Sequence, residues 1–128
     1  MTEPEHDHSH GSSYGSEVLE GLKAPSRDLR RLIPDVYAGF VAMSAAAMTP
    51  GALDAKAKEL LALAVSVTKQ CDGCIASHAR GAARAGATDA EVAETLGVVI
   101  MMNGGPGTVY APRALAAFRE FKAQLPDA

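Results

Sequence analysis

Alanine constrains this chain more than any other residue: it supplies 25 of the 128 positions, against 18 for Val, Ile and Thr combined. Ala is the strongest helix former, whereas strands favour β-branched side chains. No segment alternates apolar and polar residues convincingly, and no internal repeat is visible. The expected fold is all-α. Alanine also gives a core little side chain to bury, so the helices must pack with close axes. A lone subunit of this size then buries limited apolar area.

Apolar spacing and chain breakers predict a single-domain bundle of about six helices. Residues 1–13, MTEPEHDHSHGSS, are polar and carry His6, His8 and His10. They are expected to be a disordered tail before a helical domain over residues 14–128. A short first helix runs from Ser16 to about Ala24, with Pro25 expected to break it. A second runs from about Asp35 to Met48 and places Val36, Phe40, Met43 and Ala47 at helical steps. Asp54 is a good N-cap for a third helix over Ala55 to Lys69. Its uncharged stretch Leu60–Thr68 predicts a central helix packed on several sides. A fourth begins around Cys71 to Cys74 and ends at Gly86, a C-cap residue. Thr88 with Glu91 three places on is a capping-box signature for a fifth, reaching about Asn103. Gly104-Gly105-Pro106-Gly107 is expected to form a sharp connection to a last helix from about Thr108 to Gln124.

Charge and composition narrow the function. The net charge is −3 with no basic stripe, which argues against nucleic acid as a partner. No apolar run of membrane-spanning length occurs, so no membrane partner is expected. The polar N-terminus lacks a signal-peptide pattern, and a cytoplasmic location is expected. No flavin, haem or nucleotide motif appears, so no bound cofactor is implied.

The two cysteines are the informative pair. They lie as Cys71-Asp72-Gly73-Cys74, with His78 four residues beyond the second. Two intervening residues suit a small disulfide ring or a metal chelate. Zinc needs four ligands, and beyond Cys71, Cys74 and His78 only the tail histidines are at hand. Positions i and i+4 share a helix face, so Cys74 and His78 should be neighbours. At a helix start the unpaired amides and the dipole favour thiolate, and a nearby imidazole promotes it further. Glu59 joins by arithmetic. It lies 11 residues before the turn near Gln70, and His78 lies 8 after it. In an antiparallel hairpin these are depths of roughly 16 and 12 Å. The expected order from the inside outward is Glu59, His78, Cys74, Cys71. A carboxylate would then orient an imidazole that takes a thiol proton. The plainer alternative for Glu59 is a solvated pair with Lys56.

The spacing Glu59, Cys71, Cys74, His78 resembles the alkylhydroperoxidase-type branch of the carboxymuconolactone decarboxylase superfamily. The similarity extends over residues 58 to 118, about half the chain, and includes the Gly-Gly-Pro connection. It implies an alkylhydroperoxidase-like helical fold, a redox pair at Cys71 and Cys74, and a relay through Glu59 and His78. Also implied are a peroxide or disulfide substrate, an external dithiol reductant, and a homotrimer or homohexamer. Some members carry a His immediately before the second Cys, where this chain has Gly73.

The leading expectation is a thiol oxidoreductase in which Cys74 attacks a peroxide and Cys71 resolves the product into a disulfide. Two alternatives stand beside it: a carboxymuconolactone-type decarboxylase, and a non-enzymatic redox-responsive assembly subunit. The runs Phe40–Met43 and Val98–Met102, each apolar over a full turn, are the candidate subunit contacts.

Overall fold

A computed structural model describes residues 13–126. Six helices follow in order: α1 (Ser16–Leu32), α2 (Pro34–Met48), α3 (Ala55–Thr68), α4 (Asp72–Arg84), α5 (Asp89–Asn103) and α6 (Gly105–Ala123). Among the described residues there is no strand. The tail histidines lie outside the described residues.

The core forms where α4 is held between α3 and α6. Ala76, Ala79 and Ala82 of α4 and Ala114 and Ala117 of α6 are fully buried. Methyl-sized side chains let these axes approach to the short end of the usual 8–10 Å range. Larger groups close the two sides: Leu63 and Val67 from α3, Ile75 from α4, Val92 from α5 and Phe118 from α6. Each such side chain contributes about 1.5–3 kcal/mol when fully buried.

Local chemistry sets the helix ends. The Asp54 carboxylate accepts from the Ala57 amide at 2.7 Å and starts α3. Thr88 and Glu91 form the reciprocal capping box at the start of α5, with bonds of 3.0 and 3.1 Å. α3 and α4 end in the same Schellman arrangement, each with a left-handed residue one place past its C-cap. In α4 that residue is Gly86, at φ 83°. In α3 it is Gln70, at φ 54°.

Three sequence expectations change. Pro25 does not end α1, which continues past it to Leu32. A helical proline costs its own N–H bond and crowds the carbonyl four residues back. Here that carbonyl belongs to Gly21, and both residues are exposed, so water can satisfy it. The glycine-proline connection shrinks to Gly104 alone, because Gly105 and Pro106 already form the first turn of α6, where a missing amide is harmless. α3 is central in sequence but not wrapped: Leu61 and Val65 are 54% and 47% exposed, and α4 takes the central place.

α2 has no buried residue at all. Val36, Phe40, Val41 and Met43 are each more than 60% exposed, as are Met101 and Met102 of α5. Its C-terminus is held to α3 by Lys58, whose Nζ donates to the carbonyls of Ala47 and Thr49 at 2.8 and 2.6 Å. None of the described helices is long and apolar enough to cross a membrane.

Glu120 on α6 anchors the start of α1. The Ser13 hydroxyl donates to its carboxylate at 2.6 Å, the Ser16 amide at 3.0 Å, and the Ser16 hydroxyl donates as well. Burial pushes this carboxyl up, but the bonds from Ser13, Ser16 and Gly15 outweigh it and hold it below its ordinary value of 4.5. A depressed folded-state pKa stabilises above the unfolded value, and that contribution is lost as pH falls through the folded one. Glu120→Gln should therefore lower the urea midpoint near pH 7, and the gap to wild type should close below about pH 4. A gap independent of pH would remove the carboxylate from the anchor.

Candidate active site

The α3–α4 junction builds the cysteine site. The Gln70 amide donates to the Val67 carbonyl at 3.0 Å, and the Cys71 amide to the Ser66 carbonyl at 3.1 Å. Cys71 is thus the last residue tied to α3 and also the N-cap of α4. Its sulfur accepts from the Cys74 amide at 3.2 Å. One turn of helix brings the two Cα atoms to 5.2 Å, and the pair is joined as a disulfide.

Across the hairpin, Glu59 of α3 meets His78 of α4, with Oε2 2.9 Å from Nδ1. Their side chains are 21% and 33% exposed. Lys56, the alternative partner of Glu59, is drawn instead to Glu91 at 2.9 Å. Glu59 therefore fixes the ring through Nδ1 and leaves Nε2 for other chemistry.

Cys71, Cys74 and His78 line one cleft of about 720 Å³, walled by Leu22 of α1 and by Phe40 and Val41 of α2. No hydrogen bond links His78 to either sulfur. The expected depth order of the cysteines is reversed: Cys71 is half-buried and Cys74 is exposed. The reason is the junction itself, which holds Cys71 against the end of α3 while the first turn of α4 carries Cys74 out toward α2.

Two supports were not singled out from the sequence. The first is Gly81, one turn beyond His78. A Cβ there would collide with the Glu59 carboxylate, so the missing side chain is the space the carboxylate occupies. The small-residue run of α4 signals such close approach without saying which residue provides it. The second is Arg113 of α6, which donates to Asp72 beside Cys71 at 3.3 Å and stacks over Tyr110 at 4.3 Å. It neutralises the carboxylate nearest the pair and steadies the first turn of α4. Asp72 and Arg113 are 41 residues apart, and no local pattern joins them. Gly73 faces α1: a Cβ there would lie 3.0 Å from Leu22 Cδ1. Among the described residues, no group of three or more His, Cys, Asp or Glu is placed to hold a metal ion.

Residues 34–120 match the model of the carboxymuconolactone decarboxylase family. The chain belongs to that family. A crystal structure of an apo carboxymuconolactone decarboxylase family protein from Legionella pneumophila is 41% identical, with a TM-score of 0.80 over 84% of this chain and 96% of that one. A Thermotoga maritima structure is 27% identical, with a TM-score of 0.70 over 84% and 95%. Among curated relatives, an uncharacterized Haemophilus influenzae protein is 44% identical over 84% of this chain and 95% of its own length. An uncharacterized Cupriavidus necator protein is also 44% identical, over 66% and 75%. The family match begins at α2, so α1, with the Leu22 wall of the cleft, lies outside the matched residues.

Gly81 separates stability from chemistry in this family member. Replacing a helical Gly by Ala gains up to about 1 kcal/mol of helix propensity. The clashing atoms are the end of a flexible side chain, so Glu59 can swing away. Gly81→Ala should keep or raise the thermal midpoint, while reaction of the reduced pair with an alkylating reagent slows on the order of 10-fold. Unchanged alkylation would show that the Glu59–His78 contact does not tune the thiols.

Proposed function

We propose that the protein is a thiol-dependent peroxidase working through Cys71 and Cys74, with Glu59 and His78 as its proton relay. The observation that carries this is the 2.9 Å contact of Glu59 with His78 beside a cleft that also holds both sulfurs. A carboxylate on Nδ1 holds the ring in the tautomer whose Nε2 is an acceptor, and that nitrogen can take the Cys74 proton directly or through a water.

The exposed Cys74 is the attacking sulfur. Its thiolate attacks the terminal oxygen of a hydroperoxide, forming an S–O bond as the O–O bond breaks and an alkoxide is displaced. The alkoxide takes the proton held by His78 and leaves as an alcohol, and Cys74 becomes a sulfenic acid. The Cys71 thiol then attacks the Cys74 sulfur, forming the disulfide and releasing water. An external dithiol, of the kind kept reduced in cytoplasm, returns both sulfurs to thiols and is itself oxidised to a disulfide. Cys71 accepts a backbone amide at the helix start in the oxidised state, and a Cys71 thiolate is favoured at the same place.

The working unit in this proposal is a homotrimer or homohexamer of this chain. The apolar face of α2, bare in the single chain, supports that reading, because an exposed patch of this kind marks an interaction surface. Phe40 and Val41 line the cleft and are largely exposed in the single chain, so assembly would fix the wall of the site.

Two measurements test these readings. With dithiothreitol as reductant, wild type should consume an organic hydroperoxide, and Cys74→Ser should fall to background. Without reductant, Cys71→Ser should consume one equivalent of hydroperoxide and stop at the sulfenic acid. Turnover of a carboxylated lactone that survives both replacements would assign decarboxylase chemistry instead. Sedimentation at micromolar concentration should give a species of about three or six times 13.2 kDa. A single 13.2 kDa species would end the assembly proposal. A mass that changes with reductant would favour the redox-responsive assembly reading.

A further inference from the structure

The α1–α4 groove beside the cleft is lined by cations that the redox chemistry does not use. Arg80 of α4 is half-buried, and among the described residues it makes no hydrogen bond or ion pair. It lines a hollow of about 400 Å³ together with Glu59, His78 and Arg84. It also lines a second hollow of about 290 Å³ on the α1 side with Lys23 and Arg27. That second hollow shares Leu22 with the disulfide cleft, and the first shares Ser77 and His78 with it. Arg80 therefore lines two hollows, each of which shares a wall residue with the disulfide cleft.

The carboxylates along this groove are already engaged. Glu59 is on His78 at 2.9 Å, and Glu20 is on Lys23 at 2.8 Å. Among the described residues Arg80 and Arg84 have no acidic partner, in a protein whose net charge is −3. A half-buried guanidinium with no partner suits a planar, bidentate anion. The cleft next to it is the opposite in character, with Leu22, Phe40, Val41 and Ala45 on its walls.

We propose that Arg80 is an anion subsite that binds the carboxylate of an organic hydroperoxide with an apolar body. The carboxylate sits on Arg80, with Arg84 adding attraction, and the apolar part fills the α2 side of the cleft. Arg80 and Cys74 are six residues apart on α4, a rise of about 9 Å, so acid and hydroperoxide groups must be well separated in the molecule. Naming the substrate class rests on the peroxidase reading above; the presence of a carboxylate site does not.

Two arms keep these apart. In the first, the disulfide form of the full chain is titrated with octanoate and with octanamide by calorimetry. Wild type should bind octanoate at least about tenfold more tightly, the scale of one lost charge-assisted contact. Arg80→Gln should abolish the preference, and Arg80→Lys should keep only part of it, since the charge stays but the bidentate fork is lost. In the second, turnover of linoleic acid hydroperoxide is compared with that of its methyl ester. The acid should be favoured in kcat/KM by about tenfold in wild type, falling toward parity in Arg80→Gln through KM rather than kcat. Equal binding of octanoate and octanamide by wild type, or a preference that survives Arg80→Gln, overturns the subsite. If no hydroperoxide is consumed while octanoate binding still depends on Arg80, the subsite stands and the peroxidase reading falls.

Discussion

The close contact of α4 with α3 and α6 through alanine is the constraint on which the rest of this structure depends. Large side chains there would hold the helices apart and leave Glu59 short of His78. With methyl groups at Ala76, Ala79 and Ala82, and none at all at Gly81, the α3 carboxylate lies directly against the α4 backbone. The same compression limits how much apolar area one chain can bury. Phe118 and Leu63 fill the core, but they cannot also cover α2. Site geometry and the bare helix thus share one cause.

Much of this was legible in the sequence because it rests on local rules. Asp54, Thr88 and Glu91 announce their caps by residue type and spacing, and Cys71, Cys74 and His78 share a helical turn or two. Glu59 was within reach of hairpin arithmetic, because the turn between α3 and α4 is too short to allow any other arrangement. What the sequence hid depends on tertiary surroundings. Pro25 looks like a terminator until the carbonyl it would orphan, on Gly21, is found open to solvent. The cysteine depths follow from the Schellman turn, which fixes a direction that spacing alone does not. Gly81 and Arg113 act on residues of other helices, and no periodicity records such partners.

The site is divided between parts of unequal rigidity. Its proton relay stands on α3 and α4, inside the best-packed region of the chain. One wall of its cleft is α2, which buries nothing of its own and is tied to the body by neighbouring helices and Lys58. Local stability follows buried contact, so the wall is easier to displace than the chemistry. A site built this way holds its reacting groups in register while the shape of its entrance answers to whatever covers α2.

Loops are ordinarily where a family tolerates insertions, since a connection on the surface can lengthen without disturbing the elements it joins. The link between α3 and α4 has no such freedom. Cys71 closes one helix with its amide and opens the next with its sulfur. One added residue would rotate α4 by about 100° relative to the end of α3. His78 would then face away from Glu59, and the alanine stripe would turn out of the core with it. The connection that builds the site is thereby the one whose length cannot change, and insertion is left to links that carry no such double duty.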